Sequence, residues 1–161
     1  MLLYIVVIMA AVVGLAASYR AFGGGQSRPA DTLTLLVTAH HAAGSALDAL
    51  DAVVTAGRSP ASVPEQTRRS GPRMLAHAQH CIDMLPGERD LDADQRLART
   101  GLMHAVDDLG WAWRIVATTT WADNEGLRTA LSHLRDEAAR CRDDVSPLLL
   151  ALAPEPVEGP A

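Results

Sequence analysis

The chain has 161 residues, of which 48% are apolar, 20% are charged and only 4% are aromatic. This composition describes a folding chain, and its poverty in aromatic and β-branched residues favours helices over strands. Every basic residue is an arginine, which excludes mechanisms that need a lysine, such as a Schiff base. From Pro29 onward, 12 arginines face 19 acidic residues, and this net charge of −7 argues against a nucleic-acid partner.

The chain begins with residues 1–18, which contain no charged side chain. As a helix, this segment would span about 27 Å, close to the thickness of the hydrocarbon core of a bilayer. Tyr19 and Arg20 follow, where an interfacial aromatic residue and a snorkelling cation are expected. We therefore predict a single-pass transmembrane helix over residues 1–20, with the membrane as its partner.

The residues that flank this segment indicate whether it is retained or cleaved and which way it is oriented in the membrane. No basic residue precedes the apolar run and the run is long, which favours a retained signal anchor. Small side chains at Ala16, Ala17 and Ser18 keep a cleaved signal peptide as the alternative. Arg20 and Arg28 follow the segment, so the positive-inside tendency favours a cytoplasmic domain over an extracytoplasmic one.

A glycine-rich linker separates this segment from the rest of the chain. Residues 21–30 include three consecutive glycines, which predict flexibility. The first helix of the domain is predicted over residues 31–56, with Asp31 as its cap and Gly57 as its end. A shorter second helix is predicted over residues 72–85, because Pro72 suits a first turn. The residues before Pro72 are compatible with one further helical turn.

The third helix is predicted from Asp92, which has capping-box spacing to Gln95, to about Trp121. From Leu109 to Trp121 this helix is apolar nearly all round, with Arg114 as the interruption. Either it is the central helix of the domain, which is the favoured interpretation, or Trp111 and Ile115 form an exposed patch for a protein partner.

The fourth helix is predicted to begin at Asp123 or Asn124, and Pro147 is expected to kink or restart it. Residues 154–161 contain three prolines and are predicted to be a disordered tail. Four amphipathic segments with short connections predict an all-α fold, an antiparallel up-down bundle over residues 31–153. A three-helix bundle with one peripheral helix is the alternative.

The six histidines raise the question of a metal site. At three places a histidine and a second potential ligand are one helical turn apart: His77–Cys81, His104–Asp108 and His133–Glu137. The second and third of these pairs are predicted on solvated helix faces, so the pairs are not expected to form a shared site.

His40 differs from the other histidines because it falls on the apolar stripe of the first helix. A core histidine bonded to a carbonyl or a neighbouring side chain is the favoured interpretation. If the bundle binds a metal or a small ligand, His40, His77 and Cys81 are the candidate residues; no metal or cofactor is otherwise expected.

The two cysteines, Cys81 and Cys141, both fall on apolar stripes. The helices that carry them are diagonal in an up-down bundle, which favours free thiols. A disulfide in an extracytoplasmic domain is the alternative.

No catalytic or phosphate-binding motif is present, so the sequence does not indicate an enzyme. It predicts a membrane-tethered binding or scaffold module, with a metal- or ligand-binding bundle as the alternative.

Overall fold

The computed structural model of the chain describes residues 31–57, 63–118 and 121–153. These residues form four α-helices and no strand, so the prediction of an all-α helical bundle is confirmed for them. The helices are α1 (Thr32–Ala56), α2 (Glu65–Asp83), α3 (Ala93–Ala117) and α4 (Glu125–Leu152); two 3-10 turns, Glu88–Asp90 and Trp121–Asp123, precede α3 and α4.

The predicted transmembrane helix, the linker and the C-terminal tail all lie outside the described residues. Within the described residues, no helix has the length and hydropathy that crossing a bilayer requires. The transmembrane prediction for residues 1–20 therefore has no support from these helices.

The predicted bounds of α1 agree with the structure within one residue. Gly57 ends α1 with a positive φ of 53°, and its N–H donates to the carbonyls of Val53 and Val54. A glycine reaches this backbone conformation without the strain that a β-carbon would impose.

The prediction that α2 begins at Pro72 is wrong. The helix begins at Glu65, directly after Pro64, and Pro72 lies inside it. An interior proline removes one backbone hydrogen bond, yet Pro72 is on the exposed side of α2, where its ring meets solvent. The opposite side of α2 is buried at Ala78 and Cys81, and this packing keeps the helix continuous through the proline.

Side-chain caps set the starts of α3 and α4, as the sequence predicts. The backbone N–H of Gln95 donates to Asp92 Oδ1 at 2.8 Å, and the Gln95 side chain accepts from the Asp92 N–H at 3.2 Å. Asn124 Oδ1 accepts from the N–H of Leu127 at 3.1 Å. These bonds satisfy backbone donors that have no partner within a first helical turn.

Two other predicted features of these helices differ from the structure. α3 ends at Ala117, so Trp121 belongs to the following 3-10 turn, where it is buried. α4 continues through Pro147 to Leu152, so the restart allowed for at this proline does not occur.

The bundle consists of two helical hairpins, α1–α2 and α3–α4. α1 and α3 each pack against the other three helices, whereas α2 and α4 make no extensive contact and are diagonal, as the sequence predicts. The core contains no buried charged or polar side chain among the described residues. Small side chains let α1 approach its neighbours closely; its buried alanines are Ala39, Ala42, Ala43, Ala46 and Ala49.

Two glycines mark close helix crossings. A β-carbon on Gly71 of α2 would lie 2.6 Å from Cη2 of Trp113, on α3. A β-carbon on Gly101 of α3 would lie 2.5 Å from Cγ2 of Val145, on α4. Because real β-carbons do not approach other atoms this closely, glycine lets each pair of helices reach its observed register.

Candidate interaction surface around Trp111

Trp111 is the one aromatic residue among the exposed large apolar side chains that the structure describes. It is 57% exposed, whereas Trp113 is 8% exposed. Two residues along a helix correspond to about 200° of rotation, which turns one indole outward when the other is buried. α3 contacts three helices, as a central helix would. The expectation that these neighbouring helices cover Trp111 is wrong.

Ile115, predicted as part of the same patch, lies differently. Its side chain is half-buried and packs against the hydrophobic core. It therefore supports the helix behind Trp111 and contributes less to the exposed surface than the sequence suggests.

A groove beside Trp111 runs between α2 and α3 and has a volume of about 300 Å³. Half-buried Leu75 and buried Val106 supply its apolar part. Gly110 also lines it, and a β-carbon there would meet Leu75 Cδ2 at an ordinary contact distance of 3.9 Å. Among the residues that line it are Pro72, Gln79, Asp107, Trp111 and Arg114.

Arg114 places a positive charge at the rim of this groove. Its guanidinium carbon lies 4.5 Å from the centroid of the Trp111 ring. Such a cation–π contact stabilises an exposed pair by about 0.5–1 kcal/mol. The aromatic ring and the cation thus form one composite surface, and tryptophan and arginine are the residues most enriched at binding hot spots.

Trp113 fixes the helix beneath this surface. Its indole packs against the backbone of Gly71, and its buried Nε1–H finds no acceptor among the described residues. The ring is therefore held by shape, and a hydrogen bond does not orient it. This contact sets the register of α2 and α3, and with it the width of the groove.

A second cavity, of about 190 Å³, lies at the end of α1. Trp121 and Leu131 contribute apolar side chains to it, and Arg128 lies at its edge. Arg128 Nη1 donates to the carbonyl of Ala122 at 2.9 Å, and Ser132 also lines the cavity.

His40 lies at the contact between α1 and α4. Its Nε2 is 3.2 Å from the carbonyl oxygen of Arg142, to which an N–H there donates, and 3.1 Å from Ser146 Oγ. The bonding expected of a core histidine is therefore present, although the side chain is half-buried. Burial lowers the pKa of His40 below its usual 6.5, and the Arg142 guanidinium acts in the same direction.

This lowered pKa predicts that the bundle loses stability on the acid side of 6.5. The unfolded chain binds the proton more readily, so the His40 contribution is complete above 6.5 and is lost as the pH falls through the folded-state pKa. Urea unfolding at several pH values should show a flatter acid-side decline for His40→Gln than for the unaltered chain. If His41→Gln, a change at an exposed neighbouring histidine, flattens the decline equally, the effect does not belong to the half-buried His40 ring.

The metal hypothesis required His40 and Cys81 to approach His77. The structure places His40 against α4, whereas His77 is exposed on α2 and Cys81 is buried on the same helix. Across the described ranges, no group of three histidine, cysteine or acidic side chains is arranged to hold a metal ion. The three candidates therefore do not form one site.

The α3–α4 contact brings together the two His–acid pairs that the sequence assigned to separate faces. Burial raises the pKa of Asp108 and the charge of Glu137 adds to this shift, while His104 and His133 oppose it. The sequence did not predict that these two pairs lie close together. Their proximity depends on how α3 and α4 are rotated at the Gly101 crossing, and hydrophobic periodicity within each helix does not indicate that rotation.

Both cysteines are free thiols, the state that the sequence favoured. Cys81 is buried and Cys141 is half-buried. Burial raises the pKa of each thiol, and Glu137 adds to the effect at Cys141. Because the thiolate is the reactive form, neither residue has the environment of a nucleophile.

An exposed indole, a guanidinium and an apolar groove are components of a recognition surface. Comparisons of the chain with protein-family models, curated proteins and solved structures give no match.

Proposed function

We propose that the chain is a membrane-tethered helical module that binds a partner through the surface around Trp111. The observation that carries the proposal is the exposure of this indole, 57%, beside an apolar groove. Removing the large apolar surface of a tryptophan from water is favourable, which makes this residue an effective anchor for binding.

The tether in this proposal is the uncharged segment over residues 1–18. Its length and lack of charge suit a bilayer core, and Arg20 and Arg28 favour a cytoplasmic domain. The full-length chain is expected to sediment with membranes and to resist a high-salt wash, whereas deletion of residues 1–20 should release it. Recovery of the intact chain in the supernatant without detergent would contradict the tether.

The orientation has its own test. An impermeant thiol reagent applied to whole cells should leave Cys141 unmodified if the domain is cytoplasmic, and lysis followed by denaturation should permit the reaction. Modification of intact cells before lysis would place the domain outside.

The binding surface is tested by radical footprinting of the full-length chain. Trp111 should be oxidised severalfold less in native membranes than in purified protein, because a bound partner covers it. Met84 is 61% exposed and lies outside the groove, so its oxidation serves as the internal control. Equal oxidation of Trp111 in both samples would contradict this use of the surface.

A further inference from the structure

The N-terminal half of α2 carries positive charge in a domain that is otherwise acidic. Arg68, Arg69 and Arg73 are all exposed. Glu65 forms an ion pair with Arg69, and α2 has no further acidic residue before Asp83. Because the chain from Pro29 onward has a net charge of −7, this half-helix stands out from its surroundings.

The helix that carries these arginines, α2, packs on α3, which carries Trp111. Gly71 contacts Trp113, and Pro72 lines the same groove as Trp111 and Arg114. α3 therefore adds a fourth exposed arginine and an exposed indole to the three arginines of α2. We call this set the Trp–Arg surface: Arg68, Arg69, Arg73, Trp111 and Arg114.

We propose that the Trp–Arg surface binds the anionic headgroups of a lipid bilayer. Guanidinium groups pair with phosphate oxygens in a bidentate manner, and tryptophan favours the depth of the headgroups. The four arginines reach the lower limit of the roughly four to eight cations found in segments that recognise anionic lipid. The three arginines of α2 alone fall short of this limit.

This inference rests on the proposed tether, which is also what favours a bilayer over an acidic protein. A tether keeps a bilayer near the domain at high effective concentration, so weak contacts suffice for binding. The ten residues 21–30 can extend about 33 Å, nearly the length of a 25-residue helix, about 37 Å. The linker therefore allows the side of the bundle to reach lipid, although it is shorter than α1 itself.

Acidic residues limit the strength of this contact without abolishing it. Asp107 lines the groove, and Glu65 competes for Arg69. Further acidic side chains lie on all four helices and in the connections before α3 and α4, and interactions beyond about 8 Å are largely screened at physiological salt. We therefore expect a reversible, salt-sensitive contact.

The test uses the full-length chain in lipid nanodiscs. Both sets of discs contain phosphatidylcholine brominated near the headgroup, and in one set about a third of the lipid is phosphatidylglycerol. The Trp111 signal is the fluorescence difference between the chain and Trp111→Phe, since Trp113 and Trp121 are buried in both. Bromine should quench this signal more strongly in the anionic discs, and high salt should reverse the effect.

Arginine variants separate charge recognition from the tether. Each arginine near an anionic surface contributes about fivefold, so Arg68→Ser with Arg73→Ser should weaken the contact on the order of twentyfold. The matched control is Arg89→Ser with Arg140→Ser, which removes two exposed arginines elsewhere on the domain and should leave quenching unchanged.

The possible results are distinct. Quenching that ignores lipid charge, or that both arginine pairs reduce equally, would overturn the lipid proposal while leaving the tether in place. Protection of Trp111 by a soluble polyglutamate peptide, without any effect of lipid charge, would assign the surface to an acidic protein. Failure of the chain to enter the discs would overturn the tether, and the lipid proposal with it.

Discussion

Replacing Gly71 with alanine is expected to lower the free energy of unfolding by about 2 kcal/mol, although alanine is the better helix former. The new β-carbon would overlap the Trp113 indole, with Cη2 at 2.6 Å. The indole is 8% exposed and is a rigid ring, so it can yield only if α2 and α3 separate. Chemical denaturation should show the loss, and the melting temperature should fall by about 8 °C.

The control for this change is Gly110→Ala on α3. A β-carbon there meets Leu75 Cδ2 at an ordinary 3.9 Å, so higher helix propensity should stabilise the bundle by up to about 1 kcal/mol. The second control is Trp113→Phe, which makes room and removes the buried Nε1–H that has no acceptor in the described structure. In a double-mutant cycle, Gly71→Ala should cost markedly less in the Trp113→Phe variant than in the unaltered chain. Additive costs would contradict the steric explanation.

Gly101→Ala is expected to destabilise the bundle by about 1–2 kcal/mol. Here the β-carbon would lie 2.5 Å from Cγ2 of Val145, which is 1% exposed. The β-branched valine has few rotamers available in a helix, so α3 and α4 must move apart. Because this crossing brings Asp108 near Glu137, its disruption should also shift the titration of Asp108 back towards the ordinary carboxyl range. Unfolding curves and a carboxyl NMR titration would measure both effects.

Two variants test that explanation. Val145→Ala should relieve the overlap, so the pair Gly101→Ala with Val145→Ala should be more stable than the two separate costs suggest. Gly44→Ala on α1 is the matched glycine control. Its β-carbon would meet only the flexible side chain of Arg142, with Nη1 at 3.4 Å. An equal loss at Gly44 would indicate a general intolerance of alanine and not a close crossing.

The parts of the fold that local chemistry determines could be read from the sequence. Asp92 with Gln95, and Asn124, satisfy the first-turn donors of their own helices, so the starts of α3 and α4 needed no tertiary information. Gly57 likewise ended α1 through its own backbone conformation.

The start of α2 was mispredicted for a physical reason. Proline is favoured at the beginning of a helix, and Pro72 offered that signal. Burial of Ala78 and Cys81 against the neighbouring helices lets the helix pass through Pro72, and a one-dimensional pattern does not contain that contribution.

The candidate site was predicted only in part. The spacing of Trp111 and Trp113 required that one indole turn outward, and the sequence named Trp111 as the exposed candidate. The contact of Gly71 with Trp113 holds the other indole between α2 and α3, the two helices that carry the Trp–Arg surface. Such convergence depends on the register between helices, which has no signature in either helix alone.

The four helices do not begin in the same way, and this difference has a mechanical consequence. Asp31 makes no side-chain bond to the first turn of α1, whereas Asp92 and Asn124 secure α3 and α4. Any tension transmitted along the chain to Asp31 therefore enters the bundle at a helical end that lacks a side-chain cap. α1 should peel away turn by turn at low force, unlike a helix sheared along its whole length.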